Sequence, residues 1–442
     1  MPENADFLLE LSARTALRVA AQLNISATAD TMTLRHAYLV AYQFPAPLMV
    51  RVADDMLADL RDDVAVRRAG RVVALGRDGH HLALAMSRLD PKFFGQYGSN
   101  LVLSRLLVEN ALQDLERHHG RTFPELQAFR GAAPRVDPAD SIGGLRRLTD
   151  YLQENEVPVG RTGSRVALVD TSFKGSAQEL LAAVYPETEF IGRYAFHAES
   201  PDDPHPGSKK GYEVHLAAAE TQRGQALNLL PADESKTFAH RTAVHSVEKL
   251  LNGPMSSPKR IGDRGPEQSG QRHDPDPLRG LSRARLSPRL RDPVVREGVK
   301  VMNLRAVADL ARHVALVRDG GGDYRSWLDD WAARYRREIR AWIGDRPTDP
   351  RLAEFLNSFV YRSDHQQVEA LQQGLDRAKV PERDRYAIWA AYEQCGSDGD
   401  KRVFVENVFN ATRRGGSGDG RGTRGRGPRG RVDGARGDGR VL

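Results

Sequence analysis

The sequence has almost no cysteine and no long apolar run. Its single cysteine, Cys395, cannot form a disulfide within the chain and excludes a metal cluster built on several cysteines. No apolar run reaches 18 residues, so we expect no membrane-spanning helix and no membrane partner. Residues 1–6 lack the basic and apolar stretches of a signal peptide. These absences predict a cytoplasmic protein.

Lysine is scarce as well. Of the 65 basic residues only 10 are lysine and 55 are arginine, a ratio typical of coding bias rather than of function. The segment 413–442 carries nine arginines and three aspartates, a net charge of +6 that equals the charge of the whole chain. The rest of the chain is therefore neutral overall. We predict a disordered Gly/Arg tail over 413–442, which could bind nucleic acid weakly and nonspecifically or simply keep the chain soluble.

The 442 residues are enough for two or three domains. Helical periodicity predicts a helical lead-in over 1–35, and alternating strand and helix patterns predict an α/β domain over 36–257. The segment 258–296 is rich in Pro, Gly, Arg and Asp, which predicts a flexible linker. Helical periodicity returns over 297–412 and predicts a helical domain ahead of the tail at 413–442.

The sharpest local pattern is a strand, turn and helix over 165–185. An apolar run ends at Asp170, and a turn with Lys174, Gly175 and Ser176 leads into a helical pattern. Free amides at a helix start, a serine hydroxyl and a lysine charge together favour an anion. The spacing differs from that of a P-loop. The alternative is an ordinary strand-to-helix turn capped by the serine.

A second unit of the same kind covers 71–89. Its turn contains Arg77, Asp78 and Gly79, at the carboxyl end of the predicted strand, where ligands of open α/β sheets bind. Arg77 would bind phosphate, Asp78 would act as a base, orienting group or metal ligand, and Gly79 would allow close backbone approach. The alternative is an Arg–Asp pair that closes a turn. If the two strands lie side by side, the two turns are neighbours.

Weaker candidates surround these turns. His80 would lie at a helix start near the anion. A metal site made by His80 and His81 is disfavoured because adjacent helical residues point in different directions. The pattern over 97–120 predicts a long helix, with Ser99 or Asn100 as its cap.

The two units resemble the pyrophosphate loop and the phosphoribosyl-pyrophosphate loop of phosphoribosyltransferases, over 72–83 and 166–178. That family has two adjacent acidic residues before a Thr-Gly-x-Thr type turn. Here Asp170 is followed by Thr171, and the loop is about one residue shorter. The resemblance implies an α/β fold with a mainly parallel sheet, phosphoribosyltransferase-like or Rossmann-like, and a phosphorylated ligand.

The order of the motifs is also similar to that in the C-terminal region of predicted haloacid-dehalogenase-superfamily proteins encoded near glycosyltransferases in bacterial polysaccharide clusters. This resemblance spans roughly 36–260 and continues more weakly to about 380. No predicted strand carries the Asp-x-Asp nucleophile pair of the dehalogenases in the right setting, so phosphatase chemistry is not implied. The matching residues are Arg77, Asp78, Gly79, Ser104, Arg105, Val169, Asp170, Phe173, Gly175, Ser176 and Gln178.

These patterns predict a protein that binds a phosphorylated or pyrophosphorylated sugar or nucleotide and could act on it as a transferase or hydrolase. Asp78 and Asp170 are the candidate catalytic carboxylates, which would orient a hydroxyl group or Mg²⁺. The candidate ligand-binding residues are Arg77, Gly79, His80, Ser104, Arg105, Thr171, Lys174, Gly175 and Ser176. The alternative is a noncatalytic nucleotide-binding or interaction module with a nucleic-acid-binding tail.

Overall fold

The computed structural model describes most of the chain up to residue 415. The described residues are 5–66, 69–171, 173–221, 224–274, 276–278, 280–281, 285–344, 346–360, 365–393, 395 and 398–415. The predicted tail lies outside them from residue 416 onward, so its binding of nucleic acid stays a prediction. Backbone contacts divide the chain into two compact units, Met1–Glu369 and Ala370–Leu442.

The first unit contains a five-stranded sheet in which every strand is parallel to its neighbours. The spatial order is β2-β1-β3-β4-β5. The predicted α/β class with a parallel sheet is confirmed. The strands are β1 (Arg71–Leu75), β2 (Gly98–Leu101), β3 (Ser164–Asp170), β4 (Thr188–Ala198) and β5 (Lys209–Leu216).

Helices surround this sheet and continue after it. In the first unit they are α1 (Ala5–Gln22), α2 (Thr28–Gln43), α3 (Pro45–Ala65), α4 (Gly76–Leu89), α5 (Pro91–Tyr97), α6 (Arg105–His119), α7 (Pro138–Ser141), α8 (Gly144–Glu154), α9 (Ser176–Val184), α10 (Arg241–Leu251), α11 (Pro293–Asp319), α12 (Arg325–Ile343) and α13 (Pro350–Phe359). The helices α14 (His365–Arg377), α15 (Glu382–Glu393) and α16 (Asp398–Gly415) follow. Among the described helices, none combines the length and the apolar character that crossing a bilayer requires.

Helices cover both faces of the sheet because successive strand residues point to opposite sides. On one face the strand residues Val73, Leu75, Val166 and Leu168 pack with α6, α8 and α9. On the other face Val72, Ala74, Ala167 and Val169 pack with α2, α3, α4, α10 and α11. This second layer is much thicker, and the long helix α11 contacts both α2 and α4 within it.

The predicted start of the helix over 97–120 is wrong. Residues Gly98–Leu101 form the edge strand β2, whose Leu101 pairs with Leu75 of β1. The helix α6 begins only at Arg105, where the Ser104 hydroxyl accepts a 3.3 Å hydrogen bond from the Leu107 amide. Residues 98–101 fit a helical pattern in the sequence, but they form a strand because they pair with β1.

The segment 253–274, here called the strap, belongs to the first unit and is hydrogen-bonded to α6 and to the residue that caps it. It contains a small hairpin of Ile261–Gly262 and Gly265–Pro266. The Ser104 hydroxyl donates to the Pro258 carbonyl at 2.7 Å. The Asn110 amide donates to the Lys259 carbonyl at 3.2 Å. Hydrogen bonds of the strap and the packing of α11 therefore join both segments to the sheet domain.

Candidate anion-binding site

The carboxyl ends of β1 and β3 lie side by side at the centre of the sheet. These strands pair in parallel, with Ala74 opposite Val169. The strand order reverses direction between them, and open α/β sheets bind their ligands at such a point. The Thr171 hydroxyl donates a 3.4 Å hydrogen bond to the Asp78 carbonyl, so the two turns touch. The expectation that the two turns are neighbours is confirmed.

Two glycines allow this close arrangement. Gly76 has a φ of +54°, and a Cβ added there would lie 2.2 Å from the Leu103 carbonyl oxygen. A Cβ on Gly79 would lie 2.8 Å from the Val169 carbonyl oxygen. The helix α4 can therefore start directly at the end of β1 and lie against β3, with Asp78 in its first turn.

Asp170 is the last residue of β3 and lies close to two other acidic side chains, Asp78 and Glu248. Burial raises its pKa well above the usual range, and the negative charges of Asp78 and Glu248 raise it further. The Thr171 amide, which donates to Asp170 Oδ1 at 2.8 Å, and the charge of Arg105 oppose this shift. Asp170 therefore favours its protonated form much more than an exposed aspartate does.

Glu248 on α10 is the third carboxyl group of this cluster. Burial, followed by the charge of Asp78, raises its pKa to about 7. The cations Lys249, Arg77 and Arg105 act in the opposite direction. A carboxyl group with such a pKa can both give and take a proton near neutral pH.

The Arg77–Asp78 ion pair leaves polar atoms without hydrogen-bond partners. Arg77 Nε lies 3.4 Å from Asp78 Oδ1, but the two atoms form no hydrogen bond. Both atoms are buried, and neither has a hydrogen-bond partner among the described residues. Buried polar groups rarely stay unsatisfied, so these two atoms point to a ligand or ion at this place.

A cavity of about 730 Å³ opens beside this pair and includes Arg77 in its wall. The volume suits a ligand of nucleotide size. The strap and the helices α10 and α11 supply most of the remaining wall. The basic lining residues are Arg77, Lys249, Lys259, Arg260, Arg296 and Lys300, and the acidic ones are Asp140, Glu267 and Asp274.

Two of these cations are buried on α11, one turn apart. Arg296 donates through Nη1 to the Leu290 carbonyl at 3.0 Å and the Ser358 carbonyl at 2.7 Å. Its guanidinium carbon lies 4.2 Å from the centre of the Phe359 ring. Lys300 donates to Asn252 Oδ1 at 2.5 Å. These contacts fix both cations at the cavity wall.

The cations repel one another. Burial lowers the pKa of Lys300 well below the usual lysine range, and the charges of Arg77, Lys249 and Arg296 lower it further. Burial also lowers the pKa of Lys249, as does the charge of Arg77. An anion in the cavity would relieve this repulsion, so the site is electrostatically prepared for negative charge.

The turn of Lys174, Gly175 and Ser176, which was predicted to bind an anion, makes contacts outside the cavity. Lys174 Nζ donates to the Ala128 carbonyl at 2.7 Å and lies 4.7 Å from the centre of the Phe129 ring. Gly175 has a φ of +71° and precedes the buried Ser176 at the start of α9. None of these three turn residues is among the described residues that line the cavity. Their phosphate-binding role stays a prediction that the cavity does not require.

Apart from Arg77, none of the predicted site residues is among the described residues that line the cavity. Ser104 caps α6 and holds the strap, while Arg105 is exposed and acts on Asp170 and Glu248 through its charge. Burial lowers the pKa of His80, while its hydrogen bond to the Leu101 backbone and the charge of Asp78 act in the opposite direction. His80 is therefore a neutral neighbour of the carboxyl cluster at pH 7.

Sequence reasoning missed the cations of α10 and α11 and gave Glu248 little weight. A signal was present in α11, where Arg296, Glu297, Lys300 and Asn303 interrupt a mainly apolar series of buried residues. Charged side chains at core positions of a helix need a compensating partner or a function. The pattern could not show that α11 packs against α4, more than 200 positions earlier in the chain.

Comparisons with family models, with curated proteins and with solved structures found no match to this chain.

Proposed function

We propose that this chain is a phosphoribosyltransferase-like α/β protein that binds a phosphorylated or pyrophosphorylated sugar or nucleotide in the cavity beside β1 and β3. The single observation that carries the proposal is the concentration of six basic residues against three acidic ones around one cavity, in a chain that is neutral overall outside its tail. Phosphate groups are the common cellular ligands with matching charge and size.

In this proposal the phosphate groups contact Arg77, Lys249 and Arg296. Arg77 offers the buried Nε that has no hydrogen-bond partner among the described residues, in a geometry suited to a phosphate oxygen. A bound phosphate replaces the repulsion among these cations by attraction. Binding should therefore raise the pKa of Lys249.

The carboxyl cluster would supply acid–base chemistry next to the bound phosphate. Asp170 and Glu248, whose pKa values are raised, would donate a proton to a leaving group, and Asp78 would orient a hydroxyl group. The unpartnered Asp78 Oδ1 also fits a Mg²⁺ ligand, because Mg²⁺ is commonly held by one or two carboxylates together with substrate phosphates. A transferase or hydrolase activity on the phosphorylated ligand follows.

Thermal unfolding in the presence of phosphoribosyl pyrophosphate, sugar nucleotides and inorganic pyrophosphate tests this proposal. A ligand at 100 times its Kd stabilises the folded state by about 2.7 kcal/mol. We expect Lys249→Met to lose the ligand-induced rise in melting temperature. The matched control is Lys92→Met, which removes an exposed lysine outside the cavity wall and should keep the rise. Wild-type protein that responds to none of these ligands would refute the proposal.

One observation favours a second candidate, a noncatalytic nucleotide-binding module. Thr171 occupies the position where phosphoribosyltransferases carry a second carboxylate, so chelation of a ribose by paired acids is incomplete. Incubation of the protein with each stabilising ligand and Mg²⁺, followed by chromatography of the products, separates the two. Turnover that Asp170→Asn abolishes indicates an enzyme, and tight binding without turnover indicates a sensor.

A further inference from the structure

We infer that Lys300 is a nucleophile that forms an imine with a carbonyl group of the ligand in the cavity. The inference rests on the proposed function, because the cations of the same cavity must first bind the phosphate of that ligand. It narrows the ligand class to phosphorylated compounds with an aldehyde or ketone, such as open-chain sugar phosphates.

The geometry around Lys300 differs from that of an ordinary structural lysine. The residue is 4% exposed, yet it lines the cavity. Its ammonium nitrogen donates to the neutral side-chain oxygen of Asn252. Within the described part of the chain, no carboxylate lies within 4 Å of this nitrogen in an ion pair. A buried lysine normally has such a partner, since an isolated buried charge is very costly.

Three elements around Lys300 contribute positive charge. Arg77 comes from α4, Lys249 from α10 and Arg296 from the preceding turn of α11, while Asp78 opposes them electrostatically. Burial and these charges favour the uncharged amine. Desolvation and neighbouring cations are the two ways by which proteins turn a lysine into a nucleophile.

The choice of side chain supports this role. The chain uses arginine for 55 of its 65 basic residues, including the position one turn before Lys300. Arginine keeps its proton in proteins and cannot form an imine, so it would suffice for phosphate binding alone. Lys300 is more buried than Arg296, and unlike an arginine at its position it offers an amine that can react with a carbonyl group.

The proposed step is balanced without any oxidant or reductant. The nitrogen lone pair of Lys300 attacks the carbonyl carbon, and a C–N bond forms while the C=O π electrons move to oxygen. The carbinolamine then loses its oxygen as water, which takes both hydrogens of the original amine. The product is a C=N bond between the ligand carbon and the lysine nitrogen, which can withdraw electrons from a neighbouring carbon.

Pyridoxal 5′-phosphate tests the inference, because it has one phosphate and one aldehyde. The full chain is incubated with it at neutral pH, reduced with borohydride and mapped by peptide mass spectrometry. Pyridoxine 5′-phosphate, which has an alcohol in place of the aldehyde, reports phosphate binding alone through the melting temperature. Because burial and neighbouring cations lower the pKa of Lys300, we expect at least about tenfold more adduct on Lys300 than on Lys259. Lys259 is the exposed lysine of the same cavity.

The variants Lys300→Arg and Lys259→Arg give a matched pair. We expect Lys300→Arg to lose the adduct and to keep the shift caused by pyridoxine 5′-phosphate, and Lys259→Arg to keep both. Equal labelling of Lys300 and Lys259 in the wild-type protein overturns the inference without recourse to any variant. Binding of pyridoxine 5′-phosphate with no adduct from the aldehyde also overturns it and leaves the proposed function standing. Failure of both compounds to bind overturns the inference, whereas the proposed function falls only if the sugar and nucleotide phosphates and pyrophosphate also fail to bind.

Discussion

Gly79 determines how closely the first turn of α4 approaches β3. A Cβ at this position would lie 2.8 Å from the Val169 carbonyl oxygen, a contact that real Cβ atoms do not make. Gly79→Ala should therefore shift α4 and with it Asp78, at a cost of about 1–3 kcal/mol in the free energy of unfolding. Chemical denaturation measures this change.

Gly95→Ala is the control for Gly79→Ala. Gly95 lies in α5, where no atom comes within 4 Å of an added Cβ. An alanine there should be neutral or stabilising by about 0.5–1 kcal/mol. Equal effects of the two substitutions would show that the approach of α4 to β3 is not tight.

Glu248 should make stability depend on pH. Its pKa in the folded state is raised to about 7 from 4.5, so the folded chain holds a proton that the unfolded chain releases over this range. The protonated Glu248 therefore contributes its full stabilisation of the folded state below pH 4.5. This contribution is lost as the pH rises through 7. Between pH 5 and 8 we expect wild-type protein to lose about 1–3 kcal/mol more stability than Glu248→Gln.

Thermal unfolding of both proteins across this pH range measures the difference. Glu187→Gln, at an exposed position, is the matched control and should follow the wild-type curve. Parallel curves for wild type and Glu248→Gln would show that Glu248 is not perturbed in the folded state.

The strap depends on α6 for its position. The Ser104 hydroxyl both caps α6 and donates to the Pro258 carbonyl at 2.7 Å. Ser104→Ala should cost about 1 kcal/mol through the lost cap and should speed hydrogen exchange in the strap. Ser87→Ala, which loses only a local bond to the Leu84 carbonyl, should leave exchange there unchanged. Similar exchange in both variants would mean that Ser104 does not hold the strap.

Patterns in the sequence located the strands β1 and β3 and the turns that follow them, because short apolar runs that end at Gly or Asp are local signals. The start of α6 was wrong, since pairing of β2 with β1 involves residues about 25 positions apart. The cavity could not be predicted at all. Its cations come from α4, α10, the strap and α11, and only tertiary packing brings Arg77 to Lys300.

Positive charge is distributed over two separate parts of the molecule, the cavity and the tail. If the tail binds nucleic acid, deletion of 416–442 should abolish binding that weakens steeply with salt, while ligand binding in the cavity is retained. Fluorescence anisotropy with a labelled oligonucleotide at several salt concentrations measures this. Salt-sensitive binding that survives the deletion would place the nucleic-acid contact on the folded part of the chain.

A crystal structure of the full chain with inorganic pyrophosphate locates the anion directly. We expect its oxygens about 2.7–3.0 Å from nitrogens of Arg77, Lys249 and Arg296, in the cavity beside β1 and β3. Pyrophosphate bound instead at the turn 174–176, or a cavity without pyrophosphate at a saturating concentration, would contradict the proposed site.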